Sequence, residues 1–567
     1  VIYTPIVIDR NHAFTKVDGV LFKQMLKMLS LDFICNYDSL ILKDTKKINK
    51  LAFALDMAVA GRSDESVWIR QAQEIRKQMT DSLIDSAFTY LPEGVKHDEI
   101  ELIKRKLKRR RLELEAVASQ YYRLLQRTPV VAGTNQSDYF LIERQAPDRT
   151  ILRIYDPETG DCRLEQQFSG RETKELWLYG LAGNDTFEVK GNTRKDFPIY
   201  LISGEGENQY QLNHNRKIHV YDKDYKYDYQ KIKYHKISFT PWGIYDSDKG
   251  ISLGTFFTYT MYGFKRAPFT YQHRIGYNYL KGFMYAGVFP NYDGRRRLYL
   301  NASISSPRNF ENFFGFGNNT AGYKEEKKNY NRVKLRTYML NPSFEMDLRK
   351  EEVVTFFGSL DMYKAKRTDD RYIYTVYGED HPIFRTNYFV GLGATYRITK
   401  QPYSWLPLLE TEWTAGWKMN LKKPERNFPY AQGSLSWNVR FSDRFTWASL
   451  MKGTVLFDND YEFYQAATID LRGFRDNRFM GKQSFYQYSD LRLDMGKLKN
   501  PFTPLKYGLF AGFDYGRVWF PGERSHSWHT SYGGGIWLTF LNKFTTKYSW
   551  FGSTDSFRFA FELGLGF

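Results

Sequence analysis

Two cysteines, Cys35 and Cys162, are all the thiols that 567 residues offer. A disulfide framework is therefore excluded, and a single bridge between them is the most that could form. Long apolar runs are missing too, since none approaches the ~20 residues that a membrane-spanning helix needs. The opening residues, Val1 to Lys16, lack the basic start and the apolar core of a signal peptide, so an initiating Met and leader are expected upstream. Among the nine histidines no H-E-x-x-H pair occurs. Acidic residues are outnumbered, 64 against 82 basic, for a net charge of +18. That excess fits attraction to lipid phosphates. No recognised nucleic-acid motif accompanies it.

Aromatic residues, by contrast, make up 17% of the chain, with 43 Tyr and 44 Phe, although the mean hydropathy is only −0.56. Aromatic girdles around a polar lumen produce that combination in transmembrane barrels. The last twelve residues support it directly. Phe557, Phe559, Phe561, Leu563, Leu565 and Phe567 alternate with Ser, Arg, Ala, Glu and Gly, placing one face in lipid and the other in a polar interior. Phe559 to Phe567 also looks like the C-terminal targeting strand of bacterial outer-membrane barrels.

Three regions follow from periodicity. Residues 1–133 have helical spacing in Val20 to Leu31, Val67 to Tyr90 and Asp98 to Leu125, with Pro92 and Gly94 separating the last two. The run Lys104 to Arg111 is expected to be a solvated helix face. Residues 134–233 switch to short strands with turns between them. Two of those turns, Gly180 to Phe187 and Ser203 to Tyr210, resemble the rung of calcium-binding β-rolls, in which Asp185 and Asn208 would occupy the ligand position. A pair of structural turns is the default, because stable rolls need about three rungs. Residues 234–567 form a procession of long alternating strands, about 16 if one near 234–242 is included to satisfy the even-number rule. The expected fold is an all-β transmembrane barrel with an N-terminal helical segment and a small β-rich domain. Gly250-Ile-Ser252-Leu-Gly254 fits a nucleophile elbow, but it lies in a barrel strand, where Ser252 is a pore-facing hydroxyl. His526 and His529 are expected in a solvated turn.

Between strands ending near Asp458 and starting near Ser484 lies Leu471-Arg472-Gly473-Phe474. This tract resembles the tip of the long luminal loop of the BamA/TamA and two-partner-secretion transporter superfamily, which precedes five closing strands. Tyr488-Ser-Asp490-Leu-Arg492 partly matches the family's next motif, and Phe513-Asp514-Tyr-Gly516 the one after. Strand alternation by itself turns Asp490 and Asp514 inward, where a planar guanidinium suits carboxylates. Arg472, Gly473, Phe474, Asp490 and Asp514 are accordingly expected to lock the loop to the lumen.

The front of the chain carries a second resemblance. Tyr3 to Phe14, Glu172 to Leu176 and Leu178 to Val189 are similar to the region joining enzyme domain and barrel in metallophosphoesterase-linked outer-membrane proteins. The enzyme's metal cluster has no counterpart here, and Asp9 and His12 are expected to be structural. These resemblances imply a BamA-like surface-antigen protein of the Gram-negative outer membrane, its N-terminal domains periplasmic. Such a protein would act in assembly, insertion or translocation of outer-membrane or surface proteins, with lipid and other outer-membrane or periplasmic proteins as partners. The alternative is a membrane anchor that displays an upstream phosphoesterase. The chain itself is expected to be no enzyme, with no catalytic residue, metal or cofactor. The helical front does not match the POTRA domains usual in the superfamily.

Overall fold

The computed structural model describes residues 26, 33–91, 97–191, 196–213, 217–221, 225, 227–233, 235–246, 249–291, 293–320, 329–368, 370–400, 408–498, 505–540 and 544–565. Asp9, His12, Pro92, Gly94 and Phe567 lie outside them. Two compact units result, one of residues 1–234 with 262–265, the other of the remaining barrel residues.

The first unit begins with helices. Thr80 caps Asp81–Ala87, its hydroxyl accepting from the Leu83 amide at 3.1 Å. Helix Leu114–Leu125 buries Tyr121, Tyr122 and Leu125, of which Tyr121 and Leu125 pack with Phe53 and Met57. The basic run lies on His97–Leu112, which buries no residue; Arg105 and Arg109 are exposed as expected, while other members of the run also make tertiary contacts. Lys106 reaches the Tyr37 carbonyl at 2.7 Å, Lys108 pairs with Asp85 at 2.8 Å, and Arg111 pairs with Asp81 at 2.8 Å. Arg110 lies 4.0 Å over the Tyr37 ring. Charge that composition assigns to solvent is thus spent on holding helices to each other. Cys35 and Cys162 are both free thiols.

The same unit then winds into a short parallel roll. One sheet aligns Val130–Ala132, Leu176–Tyr179, Ile199–Ile202 and Ile218–Tyr221 in parallel. The other aligns Tyr139–Gln145, Thr186–Gly191 and Gln209–Leu212. Turns at 133–138, 180–185 and 203–208 join the sheets. The sequence singled out the second and third; the first, ending at Asp138, is a further rung. The rungs stack side chain on side chain, Phe140 on Phe187 at 4.6 Å and Phe187 on Tyr210 at 5.7 Å. At the turns the Asp138 amide donates to Asp185 Oδ1 and the Asp185 amide to Asn208 Oδ1, both at 2.9 Å. A Cβ on Gly204 would sit 2.1 Å from the Leu181 carbonyl oxygen, and its φ is +80°, so only glycine fits there.

The second unit is a closed antiparallel barrel, described among the resolved positions by sixteen long strands and one short one, Phe310–Asn312. Sequence neighbours pair in order, from Lys236–Asp246 to Phe557–Leu565. Alternation behaves as expected: Leu509 and Phe513 are exposed outward while Asp514 is fully buried, and Phe557 is exposed while Arg558 is buried. Ser252 is buried in Gly250–Met261 and its hydroxyl donates to Asn278 Oδ1 at 2.7 Å, a strand position with no nucleophile elbow. Phe313, Ile373, Ile383, Phe389, Phe463 and Met480 build an apolar cap from loops and strand ends.

The closure is uneven. Lys236–Asp246 and Phe557–Leu565 share two residue pairs among the described residues, Tyr245 opposite Phe561 and Asp246 opposite Ala560. The next shortest join between long strands, Tyr271–Asn278 with Gly282–Pro290, has seven.

Candidate functional site

The loop between Phe445–Leu456 and Gln483–Leu498 turns back into the lumen as a miniature hairpin. Ala467–Ile469 pairs antiparallel with Phe479–Gly481, and the turn between them carries Leu471 to Phe474. Ile469, Leu471, Phe474 and Phe479 are buried against Tyr486 and Val518 of the wall. Apolar burial of these side chains seats the hairpin; the polar contacts then fix its position.

Arg472 makes those contacts. Its Nη1 donates to Asp490 Oδ1 at 2.7 Å, and its Nε to Asp514 Oδ1 and Oδ2 at 3.1 and 3.0 Å. Nη2 also binds Asp514 Oδ1, and the Arg472 amide donates to Asp514 Oδ2 at 3.2 Å. The guanidinium plane lies 3.9 Å over Phe551 and 5.2 Å over Tyr488. Asp514 further accepts the Ser531 hydroxyl at 2.8 Å. Asp514 is fully buried and Asp490 nearly so, and Arg492 Nη2 also lies 3.6 Å from Asp490 Oδ2.

The structure therefore brings Arg472, Asp490 and Asp514 together, with Gly473 and Phe474 in direct support. A Cβ on Gly473 would meet Ser531 Cβ at 2.7 Å and the Gly552 carbonyl at 2.8 Å, so the loop backbone lies against the wall. Sequence inspection missed Gly512, Ser531 and Phe551. Gly512 faces Asp490 across the ladder, and a Cβ there would come within 2.7 Å of both Arg472 Nη2 and Asp490 Oδ1. A glycine on an inward position next to an acidic strand residue is the signal that could have found it. Tyr488 supplies one of the two aromatic faces and donates its hydroxyl to the Asp470 carbonyl.

A second set of contacts follows the lock. Arg478 pairs with Asp555 and donates to the Thr320 hydroxyl. Arg558 donates to the Phe474 carbonyl, and Ser553 Oγ to that of Gly473 at 2.7 Å. His529 is stacked on Phe479 at 3.5 Å rather than lying in a solvated turn; His526 is exposed. Beside the loop lies a cavity of about 1290 Å³ lined by Lys249, Lys281, Glu311, Asp470, Arg492 and Glu562 among others.

Asp185 and Asn208, in the first unit, are taken up by the turn ladder, and Asp138 beside them pairs with Arg163 at 2.7 Å. Asp185 Oδ2 is buried without a hydrogen-bond partner, and burial pushes its pKa up to about 7. No group of three or more His, Cys, Asp or Glu among the described residues could hold a metal ion. In the terminal strand, Phe559 and Phe561 stand beside Trp550 and Tyr548 at 5.1 Å each, and the backbone of Leu563 and Leu565 continues the ladder.

No protein-family profile matches the sequence, and no curated protein matches it. Among solved structures, the chain is similar to BamA from Haemophilus ducreyi lacking POTRA domains 1–3, with TM-score 0.44 and 11% identity over 59% of this chain and 71% of that one. CdiB from Escherichia coli gives TM-score 0.40 and 11% identity over 58% and 62% of the two chains. CdiB from Acinetobacter baumannii gives 0.37 and 13% over 59% and 66%. Each likeness is partial, and the role of the chain is argued below from its own residues.

Proposed function

We propose that this chain is an outer-membrane barrel of the BamA/TamA and two-partner-secretion type that inserts or exports polypeptides, using the edges of its first and last strands as templates. What carries the proposal is the seam. Among the described residues two pairs close it where its neighbours use seven or more, and an opened strand edge presents unpaired N–H and C=O groups that template another strand. The Arg472 lock holds the loop inside the lumen, so that the barrel is plugged at rest. The apolar outward face belongs in lipid, and the first unit is assigned to the periplasm, where it would meet partner proteins. The +18 charge fits attraction to phosphate headgroups, and no recognised nucleic-acid motif accompanies it.

The test is conductance in planar bilayers, comparing wild type with Arg472→Ala. Low, rare conductance that rises in the variant supports a plugged, loop-controlled barrel. Unchanged conductance in a folded variant overturns it and favours the other role, a membrane anchor for an upstream metallophosphoesterase.

A further inference from the structure

The turn that carries the lock does more than plug the lumen, because its tip touches both hairpins that meet at the seam. On the first hairpin, Lys249 Nζ, next to the start of Gly250–Met261, pairs with Asp476 Oδ2 at 2.9 Å. On the last hairpin, Arg478 pairs with Asp555, Arg558 donates to the Phe474 carbonyl, and Ser553 Oγ donates to the Gly473 carbonyl at 2.7 Å. Asp476 and Arg478 are two residues apart in one tight turn, closed by Phe474 N to Leu471 O at 2.8 Å and Arg478 N to Arg475 O at 3.1 Å. Asn477 adopts φ +56° between them.

We infer that residues 473–478 form a clasp across the seam, holding the first hairpin to the last through side chains where backbone pairing is nearly absent. The inference rests on the insertion and export role proposed above and names how that site is regulated. Two residue pairs among the described residues supply few backbone hydrogen bonds, so side-chain ties across the join weigh heavily there. The clasp is asymmetric. Arg478 and Arg558 are nearly buried, whereas the Lys249 and Asp476 side chains are about a third exposed. Exposed pairs are screened and weaker than buried ones. Opening therefore starts on the Lys249 side, and the loop stays with the last hairpin. Asp476 has a second tether, its carbonyl accepting from Asn312 Nδ2 at 3.0 Å, and Asn477 Nδ2 donates to Glu311 at 2.9 Å. These hold the turn to Phe310–Asn312 and leave the Lys249 contact as the tie to the first hairpin that one substitution removes.

The test is amide hydrogen exchange of the full chain in lipid nanodiscs, following Lys236–Asp246 and Phe557–Leu565 against Leu505–Trp519 as an internal standard. Asp476→Asn is expected to speed exchange at the seam strands about threefold to fivefold, the effect of losing one partly exposed ion pair. The standard strand should not change. The exchanged pair Lys249→Asp with Asp476→Lys is expected to restore the wild-type rate, which a merely misfolded turn would not do. Seam exchange unaltered in Asp476→Asn, or unrestored by the exchanged pair, overturns the clasp while the Arg472 conductance result still stands. A wild-type seam as protected as the standard strand overturns the clasp and the seam-based function together.

Discussion

At the scale of residues, one guanidinium is shared by two carboxylates that come from different strands. Removing it by Arg472→Ala leaves Asp514 buried without its counter-charge and Asp490 with Arg492 alone, 3.6 Å away, a loss of about 3 to 5 kcal/mol for a broken buried pair. Thermal unfolding in detergent should register that loss, and Asp490→Asn combined with Asp514→Asn should be milder than Arg472→Ala on the same scale. Gly512 tests the packing around the pair. Gly512→Ala places a methyl 2.7 Å from Arg472 Nη2, and displacing the guanidinium should cost about 1 to 3 kcal/mol and raise conductance toward the Arg472→Ala level. Asp490 and Asp514 were legible in the sequence because a charged residue inside an alternating strand can point only inward or outward, and Arg472 because of the loop-tip resemblance. Gly512, Ser531 and Phe551 were not, because what they touch depends on ladder register. Gly512 faces Asp490 and Ser531 faces Asp514 only once the strands are aligned.

At the scale of elements, the parallel roll shows how a turn motif acquires meaning from its neighbours. Gly180 to Asp185 resembles a calcium rung in isolation. Stacked between two others, its Asp185 accepts the Asp138 amide and its own amide donates to Asn208. The Asp185 carboxyl has its pKa raised from 3.8 to about 7, so between those values the folded state keeps a proton that the unfolded chain has released. Stability of the roll is therefore fullest below the lower value and falls as pH rises through the upper one. Asp185→Asn, which copies the Asn208 rung, should flatten that pH dependence and raise the unfolding temperature at pH 8. A calcium titration of wild type on the same signal checks the metal reading: stabilisation by calcium at pH 8 that vanishes in Asp185→Asn would reinstate it. The basic helix makes a parallel point, since Lys106, Lys108 and Arg111 are solvated by composition and tied down by tertiary contacts.

For the whole molecule, the consequence is a closed barrel with one weak join. A disulfide built at the register pair, Tyr245→Cys with Phe561→Cys after Cys35 and Cys162 are replaced by Ser, should form readily because opposed strand residues have suitable Cα spacing. If the seam must open for insertion or export, the oxidised form should lose that activity in cells and recover it on reduction. Activity that survives full oxidation would place the path elsewhere, through the lumen rather than the wall.

The sequence by itself determined the barrel and the inward acids that meet Arg472, because side-chain alternation is a local property that needs no partner strand. It also marked the loop tip, since a short motif before five strands is visible in one dimension. The tertiary structure alone decided the two-pair seam, the clasp from Lys249 to Asp555, the third rung of the roll and the partners of the basic helix. Each of these joins residues far apart in the chain. Their pairing is set by strand register and by how turns stack, which no local pattern encodes.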